Sequence, residues 1–254
     1  MTFLHCADLH LGRRPVGGQG EFSRKRYEDF FRGFDHIIDT ALSEQVKLIL
    51  ISGDLFDRRE LGPQILEESV KRLRRIREAG IEVLVTEGNH DNISQSREMD
   101  SWLLYLEGEG LLRRLYCTAE SGTYTFPSLR IDELTFYGAG YPGAFVDETL
   151  TALAATLDET ARNIILVHTA VAREDFLPGT VQPETLDLLR GKAEYIAGGH
   201  FHSYAGYPQA DPFFFIPGCP EYWDLGEQGK RGCILYDTET RTRRFIDASP
   251  RRRI

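Results

Sequence analysis

Short apolar runs alternate with longer amphipathic stretches through the first hundred positions of this 254-residue chain. The runs are "TFLHCAD" (2–8), "KLILIS" (47–52) and "IEVLVT" (81–86). "KLILIS" is continuously apolar, which suits a strand covered on both faces. Between the runs, residues 22–45 carry apolar side chains at helical spacing, and helices are also predicted over 63–79 and near 97–107. In the second of these, Ile65, Leu66, Ser69, Val70, Leu73 and Ile76 share one stripe. Its cations, Lys71, Arg72, Arg74, Arg75 and Arg77, lie outside that stripe and read as a solvated face. Strand–helix–strand alternation of this kind implies parallel strands joined by right-handed crossovers.

The second half is richer in strands. Candidates are 122–126, 134–139, 163–168, 193–199, 212–218, 232–237 and 242–247, with helices over 147–158 and 183–190. No linker, low-complexity block or internal repeat divides the chain. The expected fold is therefore α/β, one domain over 1–254, with two mixed β-sheets packed together and flanked by helices.

Composition agrees with a globular chain: 41% hydrophobic and 27% charged residues. No apolar run approaches the roughly 20 residues of a membrane span, and "MTFLHCADLH" does not read as a secretory leader. A cytoplasmic location, away from membranes, is the default expectation. Cys6, Cys117, Cys219 and Cys233 are scattered without a CxxC pair, which argues against a zinc ribbon or a disulfide framework. The formal charge of −9 argues weakly against broad phosphate neutralisation. Of the other basic clusters, residues 251–253 read as a frayed tail.

Placing the polar residues on this frame changes the picture. Asp8 and His10 follow the first strand, Asp54 and Asp57 the second, and Asn89, His90 and Asp91 the third. His168 ends "NIILVH", and His200 and His202 follow "AEYIAGG". Five of the seven histidines thus fall at the carboxyl ends of strands, where ligands bind in open α/β sheets. Gly53, Gly88, Gly198 and Gly199 stand beside them, at points where the backbone must turn sharply or approach a ligand. His5 and His36 lie outside the set and read as packing or supporting residues.

These histidines, two or three carboxylates and a carboxamide exceed what one ion can hold. Mixed imidazole and carboxylate donors suit manganese, iron or zinc. Two ions about 3.5–4 Å apart, sharing a carboxylate, are a known device for in-line attack on phosphorus. His90, between Asn89 and Asp91, can instead be a free imidazole that protonates a leaving oxygen. Spacing by itself leaves open which histidine stays unligated.

The set "ADLHLG" (7–12), "SGDLFD" (52–57), "EGNHD" (87–91), "LVHTA" (166–170) and "GGHFH" (198–202) resembles the calcineurin-like metallophosphoesterases. The long stretch ending in "SGDLFD", and the late "IPGCPEYWDLGEQGKRGCILYD", resemble the SbcD-type DNA repair exonuclease branch. The resemblance implies that Asp8, His10 and His202 hold one metal, that Asn89, His168 and His200 hold the other, and that Asp54 bridges them. It implies His90 as the catalytic histidine, paired with Asp91, and Asp57 as a supporting residue.

The implied activity is manganese-dependent phosphodiester hydrolysis on DNA, with iron or zinc as alternative metals. Implied partners are a coiled-coil SbcC-like ATPase and a second copy of the chain. A separate capping domain and the usual ATPase-docking helices are not expected within these residues. Cys219 stands where the branch usually has Ser.

A phosphoesterase on a small substrate, such as a cyclic nucleotide or phosphomonoester, is the alternative reading. A catalytically dead scaffold fits less well, because no expected ligand position is missing. A protein phosphatase is disfavoured, since "DLHL" and "GNHD" depart from that group's DxHG and GNHE.

Overall fold

The computed structural model describes residues 1–14, 20–91, 101–172, 177–224 and 226–251. The first half runs β1 (Thr2–Cys6), α1 (Glu21–Ser43), β2 (Leu48–Ser52), α2 (Pro63–Glu78), β3 (Glu82–Thr86), α3 (Trp102–Gly108) and β4 (Arg113–Arg114). A hairpin of β5 (Thr118–Glu120) and β6 (Thr123–Thr125) follows, then β7 (Leu129–Ile131) and β8 (Leu134–Gly140). After a single 3-10 turn come α4 (Val146–Thr156), β9 (Arg162–Val167), β10 (Ala170–Val171), β11 (Thr180–Val181), α5 (Pro183–Asp187) and β12 (Ala193–Ala197). The chain closes with β13 (Ala205–Tyr207), β14 (Phe214–Ile216), β15 (Gly232–Asp237) and β16 (Thr242–Asp247).

Two six-stranded sheets result, ordered β16-β15-β1-β2-β3-β4 and β13-β14-β12-β9-β8-β7. The first is parallel from β1 to β4, with β15 and β16 added antiparallel. The second is parallel through β8, β9, β12 and β14, with antiparallel strands at both edges. Both sheets are mixed, as expected.

Strand alternation explains why the central runs are continuously apolar. In β1 and β2, Leu4, Ile49 and Ile51 face a core built with Phe34, Ile38, Leu73 and Leu103 of the helices. Their neighbours Phe3, Leu48 and Leu50 face the other sheet, where they join Phe136, Ile164, Leu166 and Phe215. Ile165 and Val167 of β9 turn outward instead, onto Leu150 and Leu153 of α4. Each position is thus covered, and burying one such side chain is worth about 1.5–3 kcal/mol.

Several expectations shift at the margins. The strands β4, β5, β7, β10, β11 and β13 were not predicted, because two or three residues carry no readable periodicity. The predicted strand over 122–126 is β6, which among the described residues pairs in the hairpin with β5 and in neither six-stranded sheet. The helix predicted near 97–107 is α3, capped by Ser101 Oγ, which accepts from Leu103 N at 3.2 Å. Positions 97–100 of that prediction lie outside the described residues.

The cationic face of α2 is not all solvated. Arg72 makes a two-pronged pair with Asp35 of α1 at 2.7 and 2.8 Å, and Arg75 reaches Asp39. The tail also differs from a frayed end at Arg251, whose guanidinium grips the buried Asp29 carboxylate at 2.8 and 2.9 Å. A buried carboxylate needs such partners to stay ionised. Residues 252–254 lie outside the described set.

Candidate metal centre

The carboxyl ends of β1, β2, β3, β9 and β12 meet at one edge of the paired sheets. The two loops leaving β1 and β2 are zipped together by backbone bonds. Asp8 N donates to Gly53 O, His10 N to Asp54 O, and Leu11 N to Leu55 O, at 2.9–3.1 Å. Holding two loops this way bends them hard. Asp8, His10 and Asp54 on these loops have positive φ, at 54°, 43° and 52°, as does His200 after β12, at 76°. Such residues are uncommon outside glycine and persist where surrounding structure over-determines them.

Glycine is required at two neighbouring points. A Cβ on Gly53 (φ 90°) would lie 2.2 Å from His168 Nδ1, and one on Gly88 would lie 2.1 Å from Asp54 Oδ1.

The side chains converge as two groups. His10 Nε2 and His202 Nε2 face each other at 3.3 Å, with Asp8 Oδ1 3.9 Å from His202 Nε2. On the other side, Asn89 Oδ1 lies 3.1 Å from both His168 Nε2 and His200 Nδ1. Asp54 lies between them: its Oδ2 is 3.7 Å from His10 Nε2 and 3.2 Å from His168 Nε2. Asp8, His10 and His202, and likewise Asp8, Asp54 and His168, form donor groups tight enough to hold a cation. All seven residues expected as ligands are therefore in one place.

The electrostatics follow from burial. Burial alone would lower the His168 imidazole, but Asp54 and Asp8 outweigh it and raise the group to about 9. Asp54 shows the reverse: burial pushes its carboxyl up, while His168 beside it holds it well below the usual range. His200, depressed by burial and by His168, falls to about 4. Asp8 is pushed up, chiefly by burial.

The donor set fits divalent cations. A buried Asp8 Oδ2 with no hydrogen-bond partner is unfavourable on its own, and the facing Nε2 atoms of His10 and His202 can share at most one proton. A cation held by Asp8, His10 and His202 would use lone pairs of all three residues. Cys219 takes no part in these donor groups. Its backbone N donates to His202 O, and burial raises its thiol well above the usual range. It is an inert small side chain behind the site.

His90 and Asp91 are placed differently from one another. The His90 backbone N donates to Asp54 Oδ1 at 2.8 Å, and its ring Nδ1 lies 2.6 Å from the Asp57 carbonyl oxygen. That carbonyl can only accept, so Nδ1 carries the proton. The expected pairing of His90 with Asp91 is thus replaced by a pairing with Asp57 O. The Asp91 carboxylate instead accepts from Leu55 N, Phe56 N and Gly88 N at 3.0, 3.0 and 3.2 Å. Three buried donors at a loop junction need an acceptor, and this side chain supplies it.

Sequence reading missed four contributors. Trp223 Nε1 donates to Asp57 Oδ1 at 3.2 Å, and Arg13 stacks on its ring at 3.5 Å. The Tyr141 ring lies 5.5 Å from that of His200. Glu227 bonds the His202 ring. Trp223 and Glu227 lie in the late segment that carried the SbcD-like resemblance, but nothing in its spacing tied them to a strand end. His5 is a buried supporting residue, its ring nitrogens meeting Tyr195 Oη and Ser52 Oγ at 2.9 and 2.7 Å.

A two-sheet phosphoesterase architecture with a clustered His/Asp/Asn site defines a class, and family comparison agrees. Residues 1–204 match the calcineurin-like phosphoesterase family model, so the chain belongs to that family of metal-dependent phosphoester hydrolases. Among curated relatives, it is 30% identical over 241 residues to the DNA double-strand break repair protein Mre11 of Aeropyrum pernix, covering 92% of this chain and 56% of the relative. It is 26% identical to Mre11 of Sulfolobus acidocaldarius, covering 93% of this chain and 60% of that one. An uncharacterized metallophosphoesterase of Bacillus subtilis, YhaO, is 28% identical over 92% of this chain and 57% of its own length. The chain thus spans a little over half the length of these relatives. Among solved structures, a dimetal phosphatase from Danio rerio shares the fold at a TM-score of 0.57 and 13% identity, covering 92% of this chain and 91% of that one. Among the described residues, no helix is long and apolar enough to cross a membrane.

Proposed function

We propose that this chain is the nuclease core of an SbcD- or Mre11-like DNA repair phosphodiesterase, a single domain acting with two divalent cations, manganese by preference. The observation that carries the reading is the Asp54 carboxylate, set between His10 and His168 at the junction of two donor groups. On this reading Asp8, His10 and His202 hold one cation, Asn89, His168 and His200 hold the other, and Asp54 serves both. Bound cations would supply a water of lowered pKa and offset charge on the phosphoryl oxygens.

The chain's own residues do the rest. With Nδ1–H donated to Asp57 O, the His90 ring has Nε2 free to take up a second proton; the doubly protonated ring hands that Nε2 proton to the leaving oxygen and returns to the neutral Nδ1–H form. Arg13 and Arg58 put cations beside Asp57 at 3.7 and 3.6 Å, giving local positive charge for flanking phosphates in an acidic chain. The relatives' break-repair names favour DNA over a small ester. The same reading brings a cytoplasmic location, a coiled-coil ATPase partner and a second copy of the chain.

The test is a manganese-supplemented assay on linear single- and double-stranded DNA, a cyclic nucleotide and a chromogenic phosphodiester. DNA cleavage that His90→Ala abolishes, with both cations still bound, is expected. Brisk turnover of the small esters without DNA cleavage would replace this reading with a small-substrate phosphoesterase.

A further inference from the structure

Among the described residues, the segment between β14 and β15 forms no regular element, yet its side chains are held by several hydrogen bonds and ion pairs. Its centre is Glu227. One carboxylate oxygen, Oε1, bonds the Nδ1 atom of His202. The other, Oε2, accepts from Trp223 N at 2.9 Å and from Arg231 Nη1 at 3.1 Å. Arg231 is only 1% exposed. It also donates to Glu221 O and stacks on the Tyr222 ring at 4.0 Å. Both oxygens of Glu227 are therefore anchored, and its orientation is not free.

We propose that Glu227 is the positioning residue for His202: it fixes the ring and its tautomer so that Nε2 presents a lone pair to the cation site. An ionised carboxylate can only accept, so the His202 proton must sit on Nδ1. In the neutral ring Nε2 then carries the lone pair, and it is the atom facing His10 Nε2 at 3.3 Å. A carboxylate behind a ligating imidazole also raises its basicity, and removing such a partner commonly lowers metal affinity 10–100-fold.

The anchoring extends beyond the loop. Glu221 Oε1 lies 3.2 Å from Arg26 Nη1, and Arg26 reaches Asp29 Oδ2 at 3.1 Å. Asp29 in turn is held by Arg251 beyond β16. The orientation of His202 is thus tied to α1 and to the segment after the last strand through a hydrogen bond from Arg231 to the Glu221 carbonyl and the ion pairs on either side of it. No other histidine at the site has a glutamate on its ring among the described contacts.

This inference rests on the proposed metal centre, and its test separates the two. Histidine ring nitrogens are followed by 15N NMR in the metal-free full chain, alongside calorimetric titration with Mn2+. In wild type, His202 should report a single Nδ1–H tautomer. Glu227→Ala should give a mixed tautomer and weaken binding of one of two Mn2+ ions by 10–100-fold. Glu227→Gln has one acceptor oxygen for donors on both sides; with Trp223 N and Arg231 Nη1 holding that oxygen, its NH2 faces His202 and should shift the ring to the Nε2–H tautomer and weaken Mn2+ binding as the alanine does. It also serves if the alanine variant does not fold. Wild-type tautomer and affinity in either variant would overturn the proposal. A wild-type chain that binds no Mn2+ while showing the Nδ1–H tautomer would instead defeat the metal-centre reading and leave the positioning geometry standing.

Discussion

Replacing Asp91 with alanine separates two roles that the residue could have beside His90. Its carboxylate accepts from three backbone donors, two on the loop that carries Asp54 and one on Gly88. All three donor residues are buried. Leaving a buried donor unpaired costs about 1–3 kcal/mol, so three set a ceiling of roughly 9 kcal/mol. Two effects reduce it. Water can enter the vacated space. The carboxyl is also penalised in the native state, raised to about 7 by burial and by Asp54, against the opposing backbone bonds.

We expect Asp91→Ala to lose on the order of 3–5 kcal/mol in the metal-free protein. Asp91→Asn, which keeps one acceptor oxygen, should lose about half of that. Urea denaturation measures both, with His90→Ala as the reference, expected to cost only about 1 kcal/mol because it removes a single part-buried hydrogen bond, to the Asp57 carbonyl. Manganese affinity should fall together with stability, because the freed loop is the one that sets Asp54. If Asp91→Ala keeps wild-type stability and metal content while turnover disappears, the carboxylate acts on His90 and the loop-latch account is wrong.

Three further outcomes follow from the same geometry. Gly88→Ala puts a methyl 2.1 Å from Asp54 Oδ1 and 2.3 Å from its backbone N, so calorimetry should show weakened binding of both cations; full occupancy would sink the assignment of Asp54 as shared. Asp29→Ala strips a carboxylate shared by Arg26, Arg32 and Arg251; Arg26 keeps Glu221 and the other two can be resolvated, so stability should fall by about 1–3 kcal/mol, read as a fall in Tm. His5 gives a pH dependence: burial, opposed by the Gly198 carbonyl, depresses its imidazole to about 3, so the folded state keeps it neutral. Its contribution is full above the unfolded value near 6.5 and is lost as pH falls from there towards 3, at up to about 1.4 kcal/mol per pH unit. The stability gap between wild type and His5→Gln should therefore shift by roughly 2 kcal/mol between pH 7 and 5, and parallel curves would refute it.

Much of this molecule was readable from residue order. Continuous apolar runs meant strands covered on both faces, because alternate side chains of β1, β2 and β9 face a helix layer and a second sheet. Ligand-type residues placed after five such runs meant one site, because parallel strands deliver their ends to one edge. Local spacing could also locate Gly53 and Gly88 beside the site, where only a missing Cβ allows the approach.

Tertiary structure alone decided what stands behind those residues. The acceptor on His90 is the carbonyl of Asp57, 33 positions away, and Asp91, its neighbour in sequence, turns to the backbone of another loop. Arg251 is fixed by a carboxylate 222 positions upstream. Glu227 meets His202 across 25 residues with no periodicity between them. Hydrophobic patterning reports burial along one strand or helix, whereas these contacts form wherever a buried polar atom must find a partner across the fold. Residue order was enough to gather the histidines at one edge, whereas the groups that hold each ring in place come together through folding.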